Sequence, residues 1–502
     1  MLARVPTFTI DGLRPHRVAV EVDIHAGLPA FRIVGLADAA VREARERVRA
    51  AVQNSGFEFP QRRITANLAP AHLRKVGPGF DLAIAVGILA ASGQAPAAAL
   101  ERWAVHAELS LGGELRPCHG SLAVAEGVAR VGVQGLVVAT ERAGEAALVE
   151  GVRIAPVASL REAVELLDCA EPAAVVARPA PERGDVPDLA DVRGQPTALL
   201  GLEVAAAGGH NVLLEGPPGS GKTMLARRLP GILPPLTPPE ALEVTRIHSI
   251  RGLHLGGLAV ERPFRAPHHS ISASGLVGGG SFPVPGEASL AHHGVLFLDE
   301  LSEFSRSALE ALRAPLEDGR VAVVRGQHAA VFPTAVTLVA ATNPCACGFA
   351  PTSRCTCSEA DLARHQRRLS GPLLDRIDLR VDVGRPSARD LRDPPAVTSR
   401  AVRERVVVAR ARQTARLAGT GATCNARLTA RHIGDLARMD DAAQRALDAA
   451  YERDALSARG RHRVVRVART IADLAGAERI ERGHVLQALT LRQRSVHDVE
   501  AA

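Results

Sequence analysis

Aromatic residues and lysines are scarce in this chain of 502 residues. Aromatic side chains make up 3% of the residues, while hydrophobic residues make up 46%, so we expect cores packed from Ala, Val, Leu and Ile. Lys75 and Lys222 are the only lysines, and arginine carries the remaining basic charge. This heavy use of Ala and Arg is typical of a genome-wide codon bias, so arginine abundance alone does not indicate a function.

Long apolar runs are also lacking. No run reaches the length that a helix needs to cross a bilayer, and the N-terminal residues MLARVPTFTIDG contain no apolar region of signal-peptide type. We therefore expect a cytoplasmic protein with no membrane partner. In a reducing compartment, clustered cysteines favour metal binding or catalysis over disulfides. The formal net charge of +7 slightly favours a polyanionic partner.

The length of the chain requires more than one domain. Composition and periodicity predict a mixed α/β domain at 1–170, a Pro-rich and charged linker at 171–190, a second α/β domain at 191–396 and a helical domain at 397–502. The second domain contains three short apolar runs, VLLEG, VLFLDE and VTLVAATN, which are typical of a buried parallel sheet.

Three local patterns stand out in the first domain. Apolar residues alternate over 18–24, which predicts a half-buried strand. Apolar residues at helical spacing over 41–52 predict a helix that ends before Gly56. Ser159 and Glu162 predict a capping box at the start of the helix LREAVELL.

The segment GPPGSGKT fits the phosphate-loop pattern G-x-x-x-x-G-K-[ST], between a predicted strand and a predicted helix. Backbone N–H groups of such a loop surround phosphates, and the helix N-terminus adds positive potential. Lys222 is expected to contact the β- and γ-phosphates of ATP, and Thr223 to bind Mg²⁺. The full predicted set is Gly216, Pro217, Pro218, Gly219, Ser220, Gly221, Lys222 and Thr223.

Two further strands end in polar residues that suit the same site. Asp299 is expected to hold Mg²⁺ through water, and Glu300 to polarise the attacking water, although a strand with a solvated acidic end is the alternative. Asn343 ends the third strand, where its side chain is expected to face the γ-phosphate and orient water. An ordinary residue of a strand-end turn is the alternative interpretation for Asn343.

Three arginines are candidates for phosphate contacts. Arg376, in SGPLLDRID, is a candidate arginine finger that acts in a neighbour's site. The alternative is a surface arginine paired with Asp375 or Asp378. Arg459 and Arg466 could contact phosphate from a helical lid, or form a solvated helix face.

These motifs resemble the magnesium-chelatase-like ComM/YifB family of AAA+ ATPases, over nearly the whole chain. The resemblance is carried by RGQPTALLGLEVAAAGGHNVLLEGPPGSGKTMLARRLPGILPP, RPFRAPHHSISASGLVGGG, SGPLLDRIDLRVDV and RVARTIADLAG. It implies an α/β fold with three parts. These are a Lon-protease-like N-terminal domain, an AAA+ core with a helix-2 insert and a pre-sensor hairpin, and a helical C-terminal lid.

The same resemblance implies a function. ATP and Mg²⁺ would be the cofactors, and a homo-hexamer would act as a DNA helicase that drives branch migration in homologous recombination during natural transformation. Single-stranded or branched DNA would be the partner, and recombinase-coated DNA a candidate functional partner.

Peptidase activity is not expected from the Lon-like domain, because a Lon-type site needs a Ser nucleophile and a Lys base. Gly79 stands in the nucleophile's place in KVGPGFD, and the stretch GGELRPCHGSLAVAEG contains no lysine. Ser121 has no candidate base beside it. We expect this domain to be a structural or DNA-engaging collar.

Two segments are expected to reach DNA in the pore of the ring. One is a Gly-, His- and Arg-rich insertion at about 251–292, and the other is a hairpin around EDGRVAVVRG with Asp318–Gly319 as its turn. Four arginines in these segments are predicted to contact DNA phosphates, independently of base sequence. The alternative is that they are solvated loop charges. The residues are Arg262, Arg265, Arg320 and Arg325.

Four of the seven cysteines fall in NPCACGFAPTSRCTC as two C-x-C pairs. Four thiolates on one short loop predict a structural, tetrahedral Zn²⁺ site, with a disulfide as the alternative. The ligands would be Cys345, Cys347, Cys355 and Cys357. The isolated cysteines are expected to be small buried hydrophobes: Cys118, Cys169 and Cys424.

The paired histidines are weaker metal candidates, because no acid or cysteine lies near them at ligand spacing. They are His268–His269 and His292–His293.

Two other functions remain open at this point. One is the ATPase subunit of a magnesium chelatase, against which the Lon-like domain argues, and the other is a protein-remodelling ATPase without nucleic acid.

Overall fold

A computed structural model describes most of the chain. Residues 171–185 of the predicted linker lie outside the described residues, as does Cys169. The described ranges are 2–168, 186–253, 257–280, 283–325, 328–369, 371–394, 397–453 and 456–492. None of the helices in these ranges is both long and apolar enough to cross a membrane.

The N-terminal domain is a mixed α/β unit. Its strands are β1 (Leu2–Asp11), β2 (Arg14–His25), β3 (Ala30–Val34), β4 (Arg63–Ala69), β5 (Trp103–His106), β6 (Glu108–Leu109), β7 (Leu115–Arg116), β8 (Gly135–Ala139) and β9 (Arg153–Val157). Its helices are α1 (Ala39–Asn54), α2 (Asp81–Ala91), α3 (Ser121–Val131), α4 (Thr140–Ala146) and α5 (Leu160–Asp168). One sheet has the order β1-β2-β4-β3, and a second, parallel sheet has the order β5-β8-β9.

The strand and helix predictions for this domain are confirmed, but the predicted capping box is only half formed. Strand β2 alternates buried and half-buried residues, and α1 buries the predicted apolar face before Gly56. At the start of α5, the Ser159 hydroxyl accepts from the Glu162 N–H at 3.2 Å. The Glu162 carboxylate, however, accepts from the N–H of Ala158 at 2.8 Å rather than from that of Ser159.

The second domain is built on a five-stranded sheet of order β11-β14-β17-β10-β18, in which all neighbouring strands are parallel. Its strands are β10 (Val212–Glu215), β11 (Phe264–Arg265), β12 (Gly278–Gly279), β13 (Val284–Pro285), β14 (Val295–Leu298), β15 (Arg320–Arg325), β16 (His328–Pro333), β17 (Thr337–Thr342) and β18 (Leu379–Asp382). Its helices are α6 (Pro196–Gly208), α7 (Lys222–Ile232), α8 (Pro238–Ile250), α9 (Ala273–Val277), α10 (Glu287–Leu290), α11 (Arg306–Ala311), α12 (Arg313–Asp318), α13 (Glu359–Arg368) and α14 (Gly371–Leu374).

The three predicted sheet strands are β10, β14 and β17, and every residue of β14 and β17 is buried. Continuous apolar runs form such strands because both faces of a parallel sheet are covered. The phosphate loop, the Asp-Glu pair and Asn343 follow these three strands. Since the strands are parallel and adjacent, all three polar groups emerge at one edge of the sheet.

The predicted hairpin exists, but its predicted turn was wrong. Asp318 ends α12, and Gly319 caps that helix with a φ of +65° before β15 begins. Strands β15 and β16 pair antiparallel from Arg320↔Pro333 to Arg325↔His328, so the hairpin turns between Arg325 and His328. A glycine with positive φ suits a helix C-terminus as well as a hairpin turn, so Asp-Gly alone did not decide between them.

The predicted insertion is only partly outside the sheet. Phe264 and Arg265 pair with Val295 and Leu296 as the edge strand β11. The remainder, which includes α9, α10 and the β12–β13 ribbon, lies between that strand and β14.

The last region of the chain is helical. It contains α15 (Ser399–Arg416), α16 (Ala430–Leu436), α17 (Asp441–Glu452), α18 (Ala458–Ala475) and α19 (Arg482–Thr490). One apolar core runs through this region and the sheet domain, since Leu202 of α6 shares it with Val406 of α15 and Val464 of α18.

The N-terminal domain contacts the sheet domain at two places. At α8, Arg246 donates to Glu126 of α3 at 2.5 Å, and the Ser249 hydroxyl bonds to the buried carboxylate of Glu145. At the hairpin, Gly12 in the β1–β2 turn lies so close to Ala330 that an added Cβ would be 2.9 Å from the Cβ of Ala330.

Candidate functional site

The phosphate loop encloses a cleft of about 390 Å³ at the carboxyl edge of the central sheet. Gly219 and Gly221 have φ values of +73° and +95°, which L side chains rarely adopt. Gly216 lies against the backbone, since an added Cβ would be 2.1 Å from the carbonyl oxygen of Val383. The glycines therefore fix the path of the loop around the cleft. The loop residues that line the cleft are Pro218, Gly219, Ser220, Gly221, Lys222 and Thr223.

Lys222 spans the cleft. Its Nζ donates to the carbonyl oxygens of Gly216 at 2.7 Å and Pro217 at 3.0 Å, and to the Oδ1 of Asn343 at 3.1 Å. Burial lowers the pKa of Lys222, and the nearby carboxylates of Asp299 and Glu300 partly offset this. The ammonium group is thus positioned at the cleft with acceptors that phosphate oxygens can replace.

The two residues predicted to bind Mg²⁺, Thr223 and Asp299, are in contact with each other. The Thr223 hydroxyl donates to the Oδ2 of Asp299 at 2.7 Å, so both oxygens face the same point. A hydroxyl and a carboxylate beside a phosphate loop are the ligands that Mg²⁺ takes in such sites. The donor set therefore fits Mg²⁺ bound by Thr223 and Asp299.

Glu300 has an unusual backbone. Its φ is +53°, and its N–H donates to the Oδ1 of Asp299 at 3.0 Å. Its side chain is 60% exposed, and its Oε2 lies 3.8 Å from the Nδ1 of His269. A non-glycine residue in this conformation is uncommon and is often found at functional sites. Here the conformation lets Glu300 line the cleft.

Asn343 lies where the sequence predicts it, at the end of β17 and in the wall of the cleft. Its carbonyl oxygen accepts a hydrogen bond from the Nε2 of His365, on α13, at 2.9 Å. Sequence reasoning missed His365, because nothing in the pattern of α13 links it to a residue 22 positions earlier. Asn343 is thus held by its main chain while its side chain faces Lys222.

The predicted arginines Arg376, Arg459 and Arg466 lie together, but in a different cavity. This cavity measures about 320 Å³ and is also lined by Arg427 and Arg463. Sequence reasoning missed both additional arginines, although Arg463 falls on one helical face with Arg459 and Arg466 at spacings of four and three residues. The mutual repulsion and burial of these guanidinium groups lower the pKa of Arg463 and Arg466, burial most strongly.

This arginine cavity is at the opposite edge of the sheet from the phosphate loop. The carbonyl oxygen of Arg376 accepts from the side chain of Asn211 at 2.8 Å, and Asn211 immediately precedes β10, whereas the loop follows it. Four residues of strand span about 13 Å. The guanidinium of Arg376 pairs with Glu317 of α12, and not with Asp375 or Asp378 as the alternative interpretation had it.

The four arginines predicted to contact DNA differ in their surroundings. Arg262 is largely buried, bonds to the carbonyl oxygens of Pro234 and His293, and pairs with Glu240 at 3.0 Å. Arg265 forms two bonds to Glu287, at 2.6 and 2.9 Å. Both guanidinium groups are therefore used within the protein.

The other two arginines are on the hairpin. Arg320 begins β15 and is exposed. Arg325 ends the same strand, and its side chain lies outside the described part of the chain. Val324 and Val331 are 65% and 54% exposed on the outer face of the hairpin.

The four predicted cysteines converge. Cys345 Sγ lies 3.4 Å from that of Cys347 and 3.8 Å from that of Cys355, and the ligand atoms of all four lie within 4.8 Å of one another. Backbone N–H groups of Phe349 and Thr356 lower the pKa of Cys347 to about 5. A compact four-sulfur set with N–H donors around it fits a tetrahedral metal ion.

The His292–His293 pair has an acidic partner that sequence spacing did not reveal. Glu243 of α8 accepts from the Nε2 atoms of His292 and His293, at 3.0 and 2.7 Å. The Nδ1 of His292 accepts from the N–H of Ala335 at 2.9 Å, so its Nε2 carries the proton and cannot bind a metal in the same state. Hydrogen bonding by His292 and His293 lowers the pKa of Glu243 to about 2.

Gly79, the position where a Lon-type nucleophile is expected, has no room for a side chain. A Cβ added at Gly79 would lie 2.3 Å from the Cε1 of His106, a buried imidazole. The Nζ of Lys75 is fully buried and donates to the carbonyl oxygens of Pro70 and Leu73, at 2.8 Å to the latter. The niche is filled by an imidazole, and the nearby lysine is used to hold a loop.

Comparison with known families agrees with this architecture. Three family models match, described as subunit ChlI of magnesium chelatase at residues 20–142, magnesium chelatase subunit ChlI at 188–391, and its C-terminal region at 396–492. The protein YifB of Salmonella typhimurium is 42% identical over 513 residues, covering 98% of this chain and 97% of the relative. Competence protein ComM of Haemophilus influenzae is 41% identical over 490 residues, covering 96% and 95%.

The chain belongs to the ComM/YifB family of magnesium-chelatase-like AAA+ ATPases. Membership accounts for the cleft, since ATP and Mg²⁺ are what this family's phosphate loop and Asp-Glu strand serve. A more distant likeness is to the Holliday junction branch migration complex subunit RuvB of Mycobacterium bovis. It is 32% identical over 235 residues, which cover 43% of this chain and 58% of the relative.

Proposed function

We propose that this protein is an ATP-driven hexameric DNA translocase that promotes branch migration during homologous recombination, as in natural transformation. The observation that carries the DNA part is the likeness of 43% of the chain to a protein named as a branch migration subunit. The full-length likeness to a protein named for competence supports the transformation part. Single-stranded or branched DNA would be the substrate, and recombinase-coated DNA a functional partner.

The phosphate-loop cleft and the arginine cavity lie at opposite edges of the sheet. This separation supports the proposed hexameric ring. Among the described residues that line the cleft, Lys222 is the one cation, and phosphoryl transfer gains much from a second positive group. The arginine cavity holds such groups, at the opposite edge. In a ring of identical subunits, Arg376 of one subunit would face the cleft of its neighbour, with Arg459 and Arg466 beside it.

The hairpin is the element that we propose for DNA contact. Arg320 is exposed at its base, and Val324 and Val331 are exposed on its outer face. An arginine with apolar neighbours suits a backbone-tracking contact that does not depend on base sequence. We do not propose Arg262 and Arg265 for DNA contact, because each would have to break an ion pair to bind phosphate.

The helical C-terminal region is proposed as the lid, and the N-terminal domain as a Lon-like collar without peptidase activity. We also propose Zn²⁺ as the occupant of the cluster of four cysteines, since four converging sulfurs suit it best.

The test is movement of a synthetic four-way DNA junction by the purified protein. We expect junction movement that requires ATP. We also expect ATP turnover that DNA stimulates and that Lys222→Ala abolishes. ATP turnover that ignores DNA, without junction movement, would reject the proposal. It would instead favour a chelatase motor. All three matching family models carry a magnesium-chelatase description, including the N-terminal one, so they also permit this alternative.

A further inference from the structure

We infer that the metal loop, defined as Cys345 to Cys357, is a strut that holds the γ-phosphate-facing residue Asn343 and the phosphate loop in position. ATP turnover then depends on metal in the loop. This inference rests on the ATP hydrolysis and zinc occupancy proposed above. It concerns a link between two sites, and three sets of contacts carry it.

The first contact joins the metal loop to the phosphate loop. Gly348 is buried between the two C-x-C pairs, with a φ of +84°. A Cβ added there would lie 2.6 Å from the Cδ of Pro218 and 3.8 Å from the Cγ of Asn343. The metal loop thus lies directly on the phosphate loop, at a distance that only glycine permits.

The second set of contacts closes a ring through the protein. Asn343 is two residues before Cys345, and Ser358, one residue after Cys357, caps α13 with a reciprocal capping box. His365 of that helix donates to the carbonyl oxygen of Asn343 at 2.9 Å. The chain therefore leaves Asn343, passes through all four cysteines and returns to Asn343 through α13.

The third set shows how the loop depends on its sulfurs. Cys345 is 1% exposed, and its Sγ accepts from the N–H of Ala350 at 3.3 Å. The Sγ of Cys357 accepts from the N–H of Cys347 at 3.4 Å. Backbone turns such as the Gly348 N–H to the Cys345 carbonyl oxygen also shape the loop. The two bonds to sulfur tie Ala350 and Cys347 directly to metal ligands, so a metal that fixes the sulfurs also fixes the backbone at these points.

The chemistry at Asn343 makes this position sensitive. An amide that orients water at a γ-phosphate acts only within a narrow range of distance and angle. Loss of the metal releases the cysteines from one another. Asn343 would then keep its bond to His365 but lose the constraint that the metal loop places on the chain after it.

The experiment uses the full-length protein, purified with zinc and a thiol reductant, and measures metal content and DNA-independent ATP hydrolysis. We expect about one zinc ion per chain. Cys355→Ser should lose the metal and show a kcat at least about tenfold lower, with nucleotide affinity changed far less. Cys118→Ala, which alters a buried cysteine of the N-terminal domain, should keep both metal and turnover.

A second pair of variants separates the strut from simple loss of folding. Gly348→Ala keeps all four cysteines but cannot fit against Pro218, so it should retain zinc and lose turnover. Gly419→Ala is the matched control, because Gly419 has a φ of +79° and open space around its Cα. Gly419→Ala introduces the same strain of a positive φ but no clash with a neighbouring residue.

Two outcomes would overturn the inference. One is wild-type protein that contains no zinc. The other is zinc-loaded wild type whose kcat is unchanged after an organomercurial has displaced the metal, with circular dichroism showing an intact fold. Neither readout involves DNA, so a failure of DNA translocation would leave this test unaffected, and a failure here would leave the DNA test unaffected.

Discussion

The ammonium group of Lys222 donates directly to the side-chain amide oxygen of Asn343, at 3.1 Å. Lys222 begins α7, Asn343 follows β17, and the two residues lie 121 positions apart. Their contact spans the space into which a γ-phosphate would enter, so binding of ATP must exchange this hydrogen bond for bonds to phosphate. Asn343 then becomes free to orient water.

Replacing Asn343 by Ala should therefore separate binding from hydrolysis. We expect nucleotide affinity within a few-fold of wild type and a kcat lower by about a hundredfold, as is typical when one preorganised polar group is lost. Fluorescent-nucleotide titration and steady-state turnover measure the two quantities. Lys222→Ala is the comparison, since it should lose affinity as well. Equal losses of affinity in both variants would argue against the assignment of Asn343.

Replacing Glu300 by Gln should trap ATP. The amide keeps the size of the side chain but cannot polarise water, so hydrolysis should fall by about 10² to 10⁴ while ATP stays bound. Isolation of the protein with intact ATP after gel filtration measures this. Glu303→Gln, three residues later, is the matched control and should turn over ATP normally. Rapid hydrolysis by Glu300→Gln would show that another group acts as the base.

Mixing two inactive variants tests whether Arg376 acts across a subunit interface. Lys222→Ala removes the phosphate-loop cation but keeps Arg376, and Arg376→Ala does the reverse. If Arg376 serves a neighbour, a mixture forms some complete sites, and ATP turnover should rise above that of either variant alone. Turnover equal to the average of the two would place Arg376 in its own subunit's chemistry or in folding through Glu317.

Two arginines predicted from sequence as equivalent should behave differently. Arg320→Ala should keep basal ATP turnover, lower DNA-stimulated turnover, and reduce the salt dependence of DNA binding by about one charge. Arg262→Ala should instead lower the free energy of unfolding by about 2 kcal/mol, because half-buried Glu240 keeps its contacts to Thr237 and His293 but loses its guanidinium partner. Chemical denaturation and DNA-binding titrations at several salt concentrations distinguish the two. Similar behaviour of both variants would contradict the structural difference between them.

Buried His106 should make stability depend on pH. Burial lowers its pKa to about 4, below the ordinary value near 6.5, so its contribution to stability is complete above pH 6.5 and is lost as the pH falls towards 4. His106→Leu should lose less stability than wild type between pH 7 and pH 5. Urea unfolding at both pH values measures the difference. Parallel losses in the two proteins would show that folding does not change the pKa of His106.

Much of the ATP site could be predicted from the sequence, because its residues are defined by local patterns. The phosphate loop, Asp299, Glu300 and Asn343 each follow a short apolar strand, and parallel strands bring their ends together. The same reasoning predicted the convergence of the four cysteines, which are close along the chain. Local spacing was enough wherever the partners belong to one motif or to adjacent parallel strands.

The rest depended on contacts between distant segments. Nothing near Arg262 in the sequence shows that Glu240 neutralises it, and nothing near His292 shows Glu243. Arg459 and Arg466 were predicted to contact phosphate from a helical lid or to form a solvated helix face. Only the packing of α18 shows that they lie beside Arg376. The turn at Asp318–Gly319 was misassigned because its dihedral preference serves two structures equally well.

The contact between Gly12 and Ala330 has a mechanical consequence. The inner face of the hairpin, with Val323 and Phe332, is covered partly by Leu13 of the N-terminal domain. A hairpin that swung alone would leave these side chains in water, at about 25 cal/mol for each Å² uncovered. The hairpin and the N-terminal domain are therefore expected to move as one body, so that any displacement of the hairpin also displaces the N-terminal domain.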